Sequence, residues 1–372
     1  MRFAVYEMFV APLALAFTAL QARRALGGRR ALVEVVALVA YGFAVEWTAI
    51  AVFASHRYAE GWRLAPLGIP VAVAAVWAAL ILSALALVGR LGLATPLARA
   101  AGAALLGIAL DLLIEPVAVR GGLWAWTPPG QWLGVPVGNF VGWAVIVGAY
   151  AFGAERWEDA GRLPAHAARR ITLGLAAVTA LVAVGLAWRA LGAEELFPVE
   201  AGWGVWAVLL VAAAAQRLRG GKPLAGATLA GRLAGEGTRL PEAVFLFLAA
   251  TFTVDALVLG RGDLATAAAG TCLALFVSLP EGLPARLVDG WRRKSHAALA
   301  ECQGLVHVLM KPRNGEAWTA ADHALLHEQL RVLARWTPSL VLFLLPGGLA
   351  ILPVYAWLLD RRRGEHRGGG GD

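Results

Sequence analysis

The chain has 372 residues, of which 59% are hydrophobic and only 16% are charged, and its mean hydropathy is +0.66. This composition excludes an ordinary soluble globular protein. Its two cysteines, Cys272 and Cys302, are too few for a disulfide framework or a zinc site. The net charge of +8 comes from basic clusters that lie between apolar runs, a pattern typical of membrane topology and not of a nucleic-acid surface.

Apolar runs of about 20 residues, the length that crosses about 30 Å of hydrocarbon as a helix, recur along the chain. They predict an all-α, polytopic helical membrane protein with about nine spans. The predicted spans are 4–22, 32–54, 68–89, 97–118, 134–153, 171–191, 203–216, 243–260 and 265–280. A last apolar run covers 339–359, but Pro346, Gly347 and Gly348 interrupt it. We therefore expect a C-terminal re-entrant hairpin there instead of a tenth crossing.

Arginines follow the odd-numbered spans, with Arg23 and Arg24 after the first and Arg156 and Arg162 after the fifth. By the positive-inside rule, this alternation predicts a multi-pass protein of the inner (plasma) membrane with its N-terminus outside. The Gly- and Arg-rich stretch 217–237 predicts a division into a membrane domain, 1–218, and an extension, 219–372. For the extension we expect two spans, cytoplasmic amphipathic helices near 287–309 and 326–333, the interrupted apolar run and a flexible Gly-rich tail.

Among the acidic residues within predicted spans, three are candidates for chemistry, because an ionised carboxylate there costs roughly 2.5–3.5 kcal/mol on insertion scales. Glu46 lies near the middle of the second span, and Asp111 and Glu115 end the fourth, directly before Pro116. At positions i and i+4, Asp111 and Glu115 share one helix face and can touch the same ligand. We expect these acids either to bond polar groups on other helices or to carry proton-transfer chemistry.

An aromatic loop, GGLWAWTPPGQWLGVPVGNFVGW, follows the acid pair and contains Trp124 and Trp126. On composition alone, its tryptophans fit the aromatic belt of a membrane interface. The order of acid, aromatic loop, Gly-hydrophobic-Pro and Trp-bearing span also occurs earlier, from Glu46 through Tyr58 and PLGIP to Trp77. This second occurrence suggests a duplicated unit whose halves face one pocket.

The motif D-x3-E-P, followed by G-L-W-x-W and G-V-P-V-x-N-F-x-G-W, resembles the membrane carotenoid-biosynthesis family that includes bacterial and archaeal carotenoid 1,2-hydratases. The resemblance extends over about residues 30–216. It implies that the catalytic residues are Asp111, Glu115 and Glu46. It also implies that the substrate-binding residues are Tyr58, Trp124, Trp126, Asn139 and Trp143.

The reaction implied by the resemblance is hydration of the terminal double bond of an acyclic carotenoid end group to a tertiary alcohol, by a hydro-lyase without a cofactor or metal. A carboxyl group would protonate the alkene, aromatic faces would stabilise the tertiary carbocation, and water would capture it. Asp111 and Glu115 would be acid and base in either order, with Glu46 or Asn139 holding the water. The expected partners are a carotenoid from the bilayer, membrane lipids and other carotenoid-biosynthesis enzymes, but no nucleic acid.

Two other functions fit the same residues. An end-group cyclase also begins by protonating a terminal alkene, and intramembrane acids also serve proton- or ion-coupled transporters. The run RWTPSLVLFLLPGGLAILPV is faintly similar to the mitochondrial inner-membrane EF-hand ion-exchange family, although the sequence has no EF-hand loop. His323 and His327 have the spacing of a metal pair without a third ligand, and His56 is expected in a solvated outer loop.

Overall fold

A computed structural model shows a helical protein with one short two-stranded ribbon. The structure describes residues 2–93, 95–156, 163–196, 204, 208, 228–235, 239–278, 311, 319–322 and 324. The chain divides into two compact units, Met1–Glu281 and Gly282–Asp372. In the second unit, Lys311 and Asp322 form an ion pair with 2.9 Å between Nζ and Oδ2.

The helices of the first unit are named in chain order. They are α1 (Arg2–Leu26), α2 (Gly28–Ala51), α3 (Val71–Arg90), α4 (Pro96–Arg120), α5 (Val137–Arg156), α6 (Leu163–Ala190), α7 (Leu229–Gly235), α8 (Leu240–Val258) and α9 (Gly262–Ser278). Strand β1 (His56–Tyr58) follows α2, and strand β2 (Trp124–Trp126) follows α4. In the described part of the chain, seven helices are long and apolar enough to cross a membrane, and α9 is a shorter apolar helix. The predicted all-α, polytopic class is therefore confirmed.

Each predicted span before residue 200 corresponds to one helix. The largest difference is at α6, which begins at Leu163 instead of near residue 171. Hydropathy placed Arg169 and Arg170 outside the span, but Arg170 is buried against Glu34 of α2 and the helix passes through it. The predicted span 203–216, the run 339–359 with its hairpin, and the amphipathic helices near 287–309 and 326–333 lie outside the described residues. The division at residue 218 likewise stays a prediction.

Ion pairs between arginine and glutamate mark one end of the bundle, which we call the arginine end. Three buried pairs there join Arg90 to Glu242, Arg99 to Glu155 and Arg170 to Glu34, with N···O distances of 2.5, 2.6 and 2.5 Å. The three carboxylates are almost completely buried. Because a guanidinium lies against each of them, their negative charge is compensated within the protein.

The opposite end of the bundle, which we call the ribbon end, carries β1 and β2. Residues Glu7 and Asp255, near the start of α1 and the end of α8, also lie there. The carboxylate of Glu7 accepts from the backbone N–H of Arg63 and Leu64, both in the loop between β1 and α3. Asp255 accepts a hydrogen bond from the hydroxyl of Tyr6 in α1. The helices thus run alternately between the two ends.

Helices α7 to α9 pack into the same compact unit as α1 to α6. Helix α8 contacts α1, α3 and α4, and α9 lies against α4, where the Thr271 hydroxyl donates to the carbonyl of Ala109 at 3.0 Å. The side chain of Gln21 in α1 donates to the carbonyl of Leu233 in α7 at 2.7 Å. Part of the predicted extension therefore supports the helices that precede it.

The backbone supports the duplicated unit suggested by the sequence. Leu67 and Gly68, before α3, have φ of 54° and 77°, and Leu133 and Gly134, before α5, have φ of 52° and 97°. Positive φ is uncommon for leucine, so its occurrence at two matching positions indicates one shared turn geometry. In both cases a proline follows two residues after the glycine, and a helix begins directly after that proline.

The helix contacts repeat as well. A Cβ on Gly42 would lie 2.8 Å from the Cβ of Trp77, so this glycine allows α2 and α3 to approach closely. A Cβ on Gly107 would lie 3.4 Å from the ring of Trp143, which makes Gly107 the corresponding contact of α4 and α5. An acidic residue lies one helical turn after each glycine, Glu46 in the first half and Asp111 in the second.

Candidate active site

A cavity of about 470 Å³ lies at the ribbon end. Most of its lining is apolar and comes from helices α1 to α6 and α8. The polar and aromatic residues that line it include Glu46, His56, Tyr58, Trp77, Glu115, Trp124, Trp126, Asn139 and Trp143. A concave, mostly apolar site with a few converging polar groups is the usual form of a small-molecule site.

The two strands place four ring side chains on the cavity. They pair antiparallel, with His56 opposite Trp126 and Tyr58 opposite Trp124. Because side chains alternate along a strand, these four share one face and line the cavity, whereas Arg57 between them is exposed. The ring centroids of His56 and Trp126 are 4.9 Å apart. The prediction that His56 lies in a solvated loop is therefore wrong, because strand β2 pairs with β1 and Trp126 covers the imidazole.

Glu46 accepts hydrogen bonds from three side chains. The Trp77 indole donates to Oε1 at 2.6 Å, and the Tyr58 hydroxyl donates to Oε2 at 2.7 Å. The Nε2 of His56 lies 3.2 Å from the same Oε2. Glu46 thus joins α2, β1 and α3, and the close approach at Gly42 brings Trp77 within its reach.

The electrostatic setting of β1 follows from these contacts. Burial by itself lowers the pKa of His56, but its hydrogen bond to Glu46 and the negative charges of Glu46 and Glu115 outweigh burial and raise it above the usual value. Burial and the charge of Glu46 hold the pKa of Tyr58 well above its ordinary range, so the phenol keeps its proton. Both groups therefore act as donors to Glu46 near neutral pH.

Glu115 is held on one oxygen only. The indole N–H groups of Trp124 and Trp126 both donate to its Oε2 at 2.8 Å. Within the described part of the chain, its Oε1 has no hydrogen bond, although Glu115 lines the cavity. That oxygen is therefore available to a ligand.

Helix α4 does not end at Glu115 but continues through Pro116 to Arg120. A proline inside a helix has no N–H to donate to the carbonyl four residues before it, here Leu112. The indole of Trp132 donates to that carbonyl at 3.4 Å. Trp132 is buried in this contact and is not part of an outer aromatic belt.

Asp111 is completely buried behind the cavity wall and does not line the cavity. Its Oδ2 accepts a hydrogen bond from Asn139 Nδ2 at 2.7 Å, and Asn139 does line the cavity. Asp111 and Glu115 are one turn apart, but four residues of a 3.6-residue turn leave an offset of about 40° between them. Of this pair, only Glu115 lines the cavity, and Asp111 is connected to the cavity wall through its hydrogen bond with Asn139.

Two tryptophans from the matching helices pack against each other in the cavity wall. The ring centroids of Trp77 and Trp143 are 4.1 Å apart with 35° between their planes. The sequence predicted a role for Trp143 but noted Trp77 only as part of the repeated order. The repeat was the signal for Trp77, since it places Trp77 where Trp143 lies in the second half.

The described residues include no group of three or more His, Cys, Asp or Glu side chains that could hold a metal ion. His323 and His327 lie outside the described residues. The groups that line the cavity include carboxylates, one imidazole, an amide, a guanidinium, hydroxyls and aromatic rings.

Comparison with known proteins gives one match. The sequence profile of a family described as carotenoid biosynthesis protein matches residues 3–211, which is more than half of the chain. No curated protein and no solved structure matches the chain significantly. The matched region includes α1 to α6, both strands and the carboxylates, histidine, amide and tryptophans described above. The chain therefore belongs to the carotenoid biosynthesis protein family.

Proposed function

We propose that this protein hydrates the terminal double bond of an acyclic carotenoid end group and produces a tertiary alcohol. The observation that carries the proposal is that Glu46 and Glu115, held by indole, phenol and imidazole donors, face one largely apolar cavity lined with aromatic rings. Membership of the family supports a role in carotenoid biosynthesis. The cavity supplies both an apolar surface for a polyene and groups able to transfer protons.

The reaction begins with proton transfer from Glu115 in its protonated form. The two indoles fix Oε2, so Oε1 can carry the proton toward the substrate. The π electrons of the alkene form a new C–H bond at the less substituted carbon, and positive charge remains on the tertiary carbon. General-acid transfer from a positioned carboxyl group contributes about 10²- to 10⁴-fold to a rate.

The cation is stabilised by aromatic faces. Trp77 and Trp143 line the cavity as a close pair, and Trp124 and Trp126 line it beside the carboxyl group. A cation over an aromatic face is stabilised by roughly 2 kcal/mol or more when it is desolvated. An apolar, aromatic wall thus stabilises the charge without capturing it covalently.

Water then captures the cation. Asn139 donates from Nδ2 to Asp111, which leaves its amide oxygen to accept a hydrogen bond from the water. The water oxygen forms the C–O bond, and its proton passes to the Glu46–His56 pair and returns from there to Glu115. One water is consumed, and the acid is restored.

The groups around the cation favour water capture over cyclisation. A cyclase would also protonate the alkene, but it would then direct the cation onto the polyene itself. Here Asn139 and the Glu46–His56 pair place a water-holding amide and a proton acceptor at the same cavity. The amide that holds water has a role only in hydration, whereas the proton acceptor would serve either reaction, since ring closure also ends with the loss of a proton.

Product analysis tests this proposal. The full chain is expressed in a host that makes lycopene and γ-carotene, with Glu115→Gln at matched membrane levels as the control. We expect products heavier than the substrate by one water with the wild type and none with the variant. A product of unchanged mass with a new ring would show that the protein is a cyclase and not a hydratase. No product at all would refute both functions.

We also propose that the ribbon end faces the outside of the plasma membrane and the substrate comes from the bilayer. Arg23, Arg24 and Arg29 are exposed beside the arginine end, as the positive-inside rule requires of the cytoplasmic side. A reporter fused after residue 126 should read as outside and one fused after residue 163 as cytoplasmic. The reverse pattern would invert the orientation.

A further inference from the structure

One side of the cavity is closed by residues of α1 and α8, two helices far apart in the sequence. Tyr6, Val10 and Ala11 of α1 and Phe252 of α8 line the cavity there, and we call these four residues the end wall. All four are buried, and Phe252 is only 5% exposed. On the side lined by α6, in contrast, the cavity-lining residue Val184 is 37% exposed.

The end wall is held in place by contacts within it and behind it. The rings of Tyr6 and Phe252 have centroids 5.4 Å apart, and the Tyr6 hydroxyl donates to Asp255 Oδ2 at 2.6 Å. Phe252 and Asp255 are three residues apart on α8, so one face of that helix makes both contacts. A wall with a fixed hydroxyl and two packed rings has little freedom to move aside.

Helix α8 lies outside the region matched by the family, which ends at residue 211. Phe252 therefore comes from the C-terminal part of the chain, to which the sequence assigned no role in the site. Glu46, Glu115 and Phe252 nevertheless line one cavity.

We propose that Phe252 determines the size of the end group that the cavity accepts. This inference rests on the proposed function. A polyene that arrives past α6 places its terminal double bond at the acids, and the end wall limits what can extend beyond that bond. An end group longer by one isoprene unit would meet the Phe252 ring and would be rejected.

The experiment uses full-length protein in lipid nanodiscs and two polyenes, lycopene and an analogue whose end group is longer by one isoprene unit. The measured quantity is the ratio of kcat/KM for the longer end to that for lycopene. We expect Phe252→Ala to raise this ratio by about tenfold or more, since a pocket distinguishes even one methylene by 10- to 200-fold. Phe252→Trp should lower kcat/KM for both.

The matched control is Phe247→Ala. Phe247 lies on the same helix and is 9% exposed, but it does not line the cavity. Its variant should lose comparable thermal stability and keep the wild-type ratio. An unchanged ratio in Phe252→Ala would overturn the proposal, as would an equal change in Phe247→Ala. Phe252→Leu provides the same comparison if the alanine variant does not insert.

Binding separates this proposal from the proposed function. Quenching of tryptophan fluorescence by a bound polyene reports affinity without turnover, and Trp62 lies 6.4 Å from the Tyr6 ring. If the wild type binds both polyenes but hydrates neither, the proposed hydratase function is refuted. The ratio of the two affinities then still tests whether Phe252 limits the size of the end group. A selective gain in affinity for the longer polyene in Phe252→Ala would then support it, and equal affinities in wild type and variant would refute it.

Discussion

At the arginine end, three buried glutamates each lie against a guanidinium, whereas at the ribbon end Glu46 and Glu115 lie against indoles, a phenol and one imidazole. The carboxylates are similarly buried at the two ends, so burial alone does not distinguish them. The difference is in the partners. An arginine never releases its proton in a protein, so each glutamate of the arginine end faces a permanent positive charge.

At Glu115 of the ribbon end, the donors are the neutral indoles of Trp124 and Trp126, and their effect is different. Indole and phenol groups orient a carboxyl group by hydrogen bonding without supplying a full positive charge. The carboxyl group can then gain and lose a proton while its geometry is kept. The acids of the arginine end therefore support the fold, whereas the neutral donors of Glu115 suit the proton transfer that we propose for it.

Replacing one acid at each end by its amide should give the largest effects on activity and on stability. The two variants together test whether the two ends differ in function. Glu115→Gln should reduce hydration by about 10²- to 10⁴-fold with little change in thermal stability, because the amide keeps the shape but cannot donate the proton. Glu155→Gln should instead destabilise the protein by about 3–5 kcal/mol, because it removes the charge opposite Arg99. Product assays and thermal unfolding of both variants in one lipid system measure the two effects.

The folded fraction of Glu155→Gln should retain the wild-type rate. If both variants lost activity and stability in the same proportion, the two ends would not differ in function.

Asp111→Asn should have the next largest effect, a loss of about 10- to 100-fold in kcat with little change in KM. This range corresponds to a buried hydrogen bond that loses one of its partners, which costs about 1–3 kcal/mol. Because Asp111 acts through Asn139, the double variant with Asn139→Ala should lose hardly more than Asn139→Ala alone. Losses that multiply would show that Asp111 has a separate role.

Trp126→Phe should cost about fivefold in kcat, since it removes one donor to Glu115 worth about 1 kcal/mol and keeps an aromatic face. Trp132→Phe is the matched control, because Trp132 is also an indole donor but does not line the cavity. Its rate should equal the wild-type rate. A larger loss for Trp132 than for Trp126 would mean that indole donors matter here only for packing.

The smallest effect concerns pH. The folded-state pKa of His56 is raised above the usual value near 6.5, so the stability supplied by the Glu46–His56 pair is fully present below that pH. This contribution to stability should be lost as the pH rises through the raised pKa of His56. Thermal unfolding measured across this range should show a step in the wild type that is missing from both His56→Gln and Glu46→Gln. A step that persists in His56→Gln would assign the titration to another group.

The features that the sequence predicted are those that depend on neighbours along the chain. Hydropathy identified the spans, and an acid in an apolar run identified Glu46 and Glu115. The Tyr58 and Trp124 side chains that bind these acids follow each of them within one loop. The structure brings together each predicted acid and its predicted aromatic or amide neighbour.

The features that escaped prediction depend on contacts between distant segments. His56 is buried because β1 pairs with β2, and no local pattern at residue 56 reveals that strand pair. The same holds for the start of α6, since the partner that allows Arg170 to be buried is Glu34 in another helix. Phe252 was missed because the resemblance ended before α8. Contacts between segments that are distant in the chain cannot be predicted from the local patterns of a single sequence.

The pairing of β1 with β2 also has a consequence for biogenesis. During synthesis from the N-terminus, β1 emerges first, and its partner follows only after α3 and α4 have been inserted. Until then, the ribbon cannot form, and the polar edge of β1 must be solvated or bound by a chaperone. The cavity is completed at a late step of assembly. Slow insertion of α4 would therefore extend the period in which the nascent chain is open to the proteases of membrane quality control.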